Sequence, residues 1–114
     1  MLFRSSGRVR QVLLEDISER PSFESVAKRL CTTARTLRRQ LRTEHTSFRE
    51  LLDELRMQLA IRYLRDTNMT SEDIAVAIGF SDAANFRHAF RRWTAESPSE
   101  FKSTKPAIRL PFDH

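Results

Sequence analysis

One cysteine, two glycines and four prolines are all that 114 residues hold of the types that staple or turn a chain. Cys31 alone cannot close an intrachain disulfide or build a cysteine-based zinc site, which excludes a disulfide-stapled secreted scaffold. So little Gly and Pro argues against an all-β fold, whose tight turns and corners need more of both. No apolar run approaches the roughly 18 residues of a membrane span. The basic start MLFRSSGRVRQVLL lacks the continuous apolar stretch of a signal peptide. The expectation is a cytoplasmic chain. His45, His88 and His114 have no i, i+4 pairing, so neither a metal site nor a cofactor is implied. No Gly-x-Ser-x-Gly or comparable frame places a nucleophile, which argues against an enzyme.

What is present is positive charge, unevenly placed. The net charge is +5. Residues 25–43 carry Lys28, Arg29, Arg35, Arg38, Arg39 and Arg42 with no acid. Residues 44–82 hold eight acids against four bases, and 83–95 then bring Arg87, Arg91 and Arg92 with no acid. Two positive blocks flank a negative one. One block alone is often a solvated helix face; two suggest two contacts on one polyanion.

The apolar periodicity is helical throughout. Val9, Val12, Leu13, Leu14 and Ile17 predict a helix over about 6–19, which Pro21 stops. Ser22 caps a short helix bearing Phe23, Val26, Ala27 and Leu30. Cys31, Thr32 and Thr33 form a turn, and a helix to about residue 43 turns Leu37 and Leu41 inward. The box Ser47-x-x-Glu50 opens the longest helix, over 47–66, with Phe48, Leu51, Leu52, Leu55, Leu59, Ala60, Tyr63 and Leu64 on its apolar side. Thr70 to Asp73 starts another short helix, Gly79 to Ser81 a turn, and 82–93 a helix with Phe86, Phe90 and Trp93 inward. Ser97-Pro98-Ser99-Glu100 starts a last short helix, and 103–114 is expected to be irregular. Phe80, Phe86, Phe90, Trp93 and Phe101 are core rather than base-stacking groups.

Two of these segments repeat. Val26-Ala27-Lys28-Arg29-Leu30-Cys31 matches Ile74-Ala75-Val76-Ala77-Ile78-Gly79 at an offset of 48, and Leu37 and Leu41 match Phe86 and Phe90 one residue later in register. Each copy is a short helix, a tight turn and a more basic helix, the helix-turn-helix layout, with helical hairpins of a bundle as the alternative. Ala27 and Ala75 let the second helix cross close over the first. The turn favours Gly, since a left-handed conformation costs a Cβ-bearing residue about 1 kcal/mol or more. Gly79 meets that demand; Cys31, read as a packed turn residue with redox sensing as its alternative, does not.

The stretch GFSDAANFRHAFRRWTAESPSEF at 79–101, preceded by TSEDIAVAI, resembles the C-terminal signature of AraC/XylS-type bacterial transcription regulators. SVAKRLCTTARTLRRQL at 25–41, with the 48–64 helix, resembles the family's first helix-turn-helix and linker helix. The resemblance covers about residues 9–102 and implies an all-α domain of seven helices. It divides the chain into a lead-in (1–8), a first subdomain (9–46), a linker helix (47–66), a second subdomain (67–102) and a tail (103–114). It further implies double-stranded DNA as partner, with two recognition helices in successive major grooves. Members usually carry a separate effector-binding or dimerisation domain, for which this chain has no room.

A linker of roughly 30 Å nearly matches the roughly 34 Å between successive major-groove faces. A slightly short, rigid linker would bend the DNA, at roughly 1–6 kcal/mol. On the first recognition helix Ala34, Arg35, Arg38 and Arg39 are expected to contact bases, with Arg35 and Arg39 foremost, since Arg reads guanine bidentately. On the second, Ala84, Asn85, Arg87 and His88 are expected to contact bases; Thr33, Arg42, Ser81 and Arg91 are assigned to phosphates. Phosphate or solvent is the plainer alternative for any single arginine. The weaker readers of the second helix suggest that the first supplies most specificity. Asp53, Glu54 and Asp73 are read as solvating charge, with a contact to RNA polymerase as the alternative. A non-specific architectural DNA binder and a helical protein–protein adaptor are the rival functions.

Overall fold

A computed structural model describes residues 4–104. Seven helices follow one another, with no strand among the described residues: α1 Ser5–Asp16, α2 Phe23–Arg29, α3 Ala34–Thr43, α4 Phe48–Asp66, α5 Ser71–Ala77, α6 Ala83–Thr94 and α7 Pro98–Thr104. A 3₁₀ turn, Ile17–Glu19, continues α1. The all-α, seven-helix expectation holds. The chain divides into two compact units between Gln58 and Leu59, inside α4.

Helix starts follow from short polar side chains. Ser22, Thr33 and Ser47 accept the backbone N–H three residues on, at 3.1, 3.1 and 3.2 Å. Thr70 and Asp73 close a reciprocal capping box, as do Ser97 and Glu100. Asp82, expected as the first residue of its helix, is the N-cap instead and accepts from Asn85 N at 2.8 Å.

α1 finds its cap elsewhere. Arg4 offers none, and the Glu44 carboxylate accepts from Ser5 N at 3.0 Å and Ser6 N at 3.1 Å. This carries α1 back to Ser5. Glu44 stands at the C-cap of α3, where its own helix dipole disfavours an anion; the N-terminus of α1 reverses that. Burial pushes the Glu44 carboxyl pKa up, but the bonds from Ser6 and Ser5 and the charge of Arg4 outweigh it, and the pKa lies below its ordinary value.

The first unit buries Val9, Val12, Leu13, Ile17, Val26, Ala27, Leu37, Leu41, Leu51 and Leu52. Leu14, grouped with the apolar face of α1, is 51% exposed. At 100° per residue it lies well off the stripe that Val9, Val12 and Leu13 define. The second unit buries Leu59, Ala60, Leu64, Ile74, Ala75, Ile78, Phe86, Ala89 and Phe90. Here the packing is aromatic: Phe90 meets Phe86, Trp93 and Phe101 edge-on, with centroids 5.5–6.4 Å apart. Ser103 and Thr104, expected in the irregular tail, belong to α7, whose capping box gives it a firm start. The remainder of that tail, His114 included, lies outside the described residues.

Candidate nucleic-acid interface

Each unit contains one helix-turn-helix, α2 with α3 and α5 with α6, and the two turns are built alike. Thr32 N donates to Ala27 O and Cys31 N to Lys28 O, both at 3.0 Å. At the matched positions Phe80 N donates to Ala75 O at 2.8 Å and Gly79 N to Val76 O at 3.2 Å. Both are Schellman motifs, which require a left-handed residue just past the helix. Gly79 supplies it at φ 91° and Cys31 at φ 59°. Cys31 therefore makes the turn without being glycine. It is exposed rather than packed.

Burial of Leu37 and Leu41 decides which way α3 faces. Arg35, Arg39 and Arg42 fall opposite them, are exposed, and make no ion pair among the described residues. Arg38 is also exposed, but its guanidinium lies 5.2 Å from the Phe23 ring centroid, a cation–π contact on the flank of the helix. Reaching away from the helix flank would cost Arg38 that contact. The angular position, 100° from Leu37, already marked it as flanking. Phe23 in turn packs on Phe48 at 5.0 Å. A groove of about 420 Å³ beside them is lined by Phe23, Leu41, Phe48, Arg38, Arg42 and Arg49.

The basic block is smaller than its sequence. Arg29 is held by Glu15 at 2.9 Å and by Asp16. The Gln11 amide and the Arg29 guanidinium keep the Glu15 carboxyl below its ordinary range, while Glu15 and Asp16 raise Arg29. Ala34 is half-buried. Thr33 Oγ accepts from Thr36 N and donates to Thr36 Oγ at 3.1 Å, so its hydroxyl is already engaged as the cap.

On α6, burial of Phe86, Ala89 and Phe90 leaves Ala84, Asn85, Arg87, His88 and Arg91 exposed. Ala84, His88 and Arg91 occupy the positions that Arg35, Arg39 and Arg42 occupy on α3, at an offset of 49. Arg87 matches Arg38, but the residue matching Phe23 is Ser71, so Arg87 has no such ring. Arg91 approaches Glu100 at 3.9 Å, an exposed pair of little weight. The Asn85 side chain turns back: its Nδ2 donates to Ser81 Oγ at 3.0 Å and lies 3.5 Å from Asp82 Oδ2. That arrangement escaped the sequence reading. An Asx cap followed at its third residue by Asn was the available signal.

The acids between the blocks have uses of their own. Asp53 pairs with Arg49 at 3.5 Å, Glu54 with Arg10 at 2.9 Å, and Asp73 closes the cap of α5. No three potential metal ligands cluster among the described residues.

The geometry is that of the double helix-turn-helix class. A family model described as a helix-turn-helix domain matches residues 26–104. The ornithine utilization regulator of Pseudomonas aeruginosa is 41% identical over 95 residues, which cover 83% of this chain and 28% of that protein. The urease operon transcriptional activator of Escherichia coli is 35% identical over 94 residues, 82% of this chain and 32% of that one. Among solved structures, a DNA-binding transcriptional dual regulator from Escherichia coli K-12 matches with a TM-score of 0.88 at 25% identity, over 95% of this chain and 97% of that chain. The DNA-binding domain of AdpA, solved in complex with a target DNA, matches with a TM-score of 0.80 at 25% identity, over 94% and 97%. The chain belongs to the AraC-type helix-turn-helix family. It spans less than a third of the length of the ornithine and urease regulators.

Proposed function

We propose that this chain binds double-stranded DNA sequence-specifically for transcription regulation, with α3 and α6 as recognition helices in successive major grooves. The observation that carries the reading is the repeated outward face. Arg35, Arg39 and Arg42 on one helix, and Ala84, His88 and Arg91 on the other, sit at equivalent positions opposite a buried core. Three arginines on one face, with no acid partner among the described residues, suit an anionic partner and bidentate guanine contacts. The complex of the AdpA domain with DNA supports the same use. On this reading α4 links a first subdomain (9–46) to a second (67–102), and the working site is the bacterial cytoplasm, where the DNA lies. No helix among the described residues is long and apolar enough to cross a membrane.

An effector-binding or dimerisation domain outside this chain accords with the fraction of the relatives that it spans. A contact to RNA polymerase through Asp53, Glu54 and Asp73 would compete with their internal partners.

The test is selection from a randomised duplex pool at physiological salt, with Arg35→Ala and Arg87→Ala beside the wild type. Two enriched boxes about one helical turn apart, one weakened in each variant, are expected. DNA binding with a log–log salt slope near −0.9 per phosphate contact, but no enriched site, would mean an architectural binder. No salt-dependent affinity would mean a protein–protein adaptor.

A further inference from the structure

We infer that Ser81 is a positioning residue that restricts Asn85 to accepting hydrogen bonds, so that Asn85 reads an amino group on a base rather than one particular base. The inference rests on α6 entering a major groove. Asp82 Oδ1 accepts the Asn85 backbone N–H at 2.8 Å, which fixes the carboxylate at the helix start. Its other oxygen lies 3.5 Å from Asn85 Nδ2, and Ser81 Oγ lies 3.0 Å from the same nitrogen. An ionised carboxylate oxygen can only accept, so the amide atom facing it must be the nitrogen; chemistry, not fitting, sets the orientation of this amide.

Both N–H groups of Asn85 are therefore turned toward its own helix start. The carbonyl oxygen remains, an acceptor with two lone pairs. In the major groove, adenine N6 and cytosine N4 are the base-edge donors; guanine offers N7 and O6, thymine O4 and a methyl group. An acceptor alone accepts adenine and cytosine and rejects the other two. The bidentate pairing of Asn with adenine needs a free N–H for adenine N7, and here the hydroxyl of Ser81 holds it. Ser81 keeps its own O–H for a phosphate, since it accepts from Asn85 rather than donating to it. The first motif has no equivalent: its turn is one residue shorter, so Ser81 has no counterpart beside Thr32, which matches Phe80, and Thr36 stands where Asn85 does, without an amide.

The experiment is the same duplex selection, run on the wild type, Asn85→Ala, Ser81→Ala and Ser81→Thr. For the wild type, one position in the α6 box should accept adenine and cytosine within about twofold, and Asn85→Ala should erase the preference there. Ser81→Ala should free one N–H and favour adenine over cytosine by roughly tenfold, the scale of a gained bidentate contact. Ser81→Thr keeps a hydroxyl and should retain the wild-type pattern. A merely structural role for Ser81 would lower affinity without changing which base is preferred. Adenine alone in the wild type, an unchanged position in Asn85→Ala, or the same degeneracy in Ser81→Ala would each overturn the inference while leaving the α6 box standing. Absence of an α6 box in the wild type would instead remove the reading beneath it.

Discussion

The two helix-turn-helix motifs reach one backbone frame with different chemistry. Their turns share the same pair of hydrogen bonds, yet one is made by Gly79 and the other by Cys31. Their second helices are capped by Thr33 in one case and Asp82 in the other. The first core is aliphatic around Leu37 and Leu41; the second is aromatic around Phe86 and Phe90. The outward faces differ most. Arginine stands at Arg35, where the second motif has Ala84, and at Arg39, where it has His88. At these positions the frame is kept while the outward face changes.

The largest expected effect lies in the cores. Phe86→Ala should cost roughly 3–5 kcal/mol, toward the upper end of the roughly 2–5 kcal/mol expected for Leu37→Ala, because it removes a fully buried ring from an aromatic cluster. Urea unfolding read by circular dichroism gives both values, and fluorescence of Trp93, the sole tryptophan, follows the second unit. Equal costs would end the distinction between the two cores. Next comes readout. Ala84→Arg places on α6 what Arg35 provides on α3 and should add a guanine preference worth about 1–3 kcal/mol in competition binding. No gain would break the equivalence of the two faces.

Smaller effects lie in the turns. Cys31→Gly should stabilise the chain by up to about 1 kcal/mol, and Gly79→Ala should destabilise it by about 1–2 kcal/mol, since both positions need a left-handed backbone. Opposite signs in thermal unfolding are the diagnostic. The smallest effect concerns Glu44, whose place in the second motif is taken by Trp93. Its pKa is lowered on folding, so its contribution is present above the ordinary carboxylate range and is lost as pH falls through the depressed value. Glu44→Gln should cost stability at neutral pH and nothing at acidic pH, below that value. A difference that persists in acid would show that the charge is not what holds α1.

How much of this was legible follows from the range of each interaction. Caps such as Ser22, Ser47, Thr70 and Ser97 act across three residues, and the sequence displays both partners together. Asp82 is the exception, an N-cap that the apolar periodicity alone assigns to the helix proper. Arg35, Arg39 and Arg42 were separable from Leu37 and Leu41 by helical angle alone. Arg38 was not assigned to its ring, because Phe23 lies fifteen positions away on another helix. Likewise, the sequence counts Arg29 as free charge, and only the fold brings Glu15 and Asp16 to it. These two hidden contacts join different helices, where spacing carries no information; the Asn85–Ser81 bond, four residues apart, is the local exception.

The bonds that Ser5 and Ser6 donate to Glu44 also order events in time. These residues are 38 and 39 positions apart, so the first turn of α1 gains its cap only after the end of α3 is in place. Two amides at one end of the first unit therefore exchange with solvent at a rate set by the opening of a helix formed much later in the chain. Deuterium uptake at Ser5 and Ser6 should track loosening of the α3 C-terminus, and a ligand that steadies α3 should slow exchange at both.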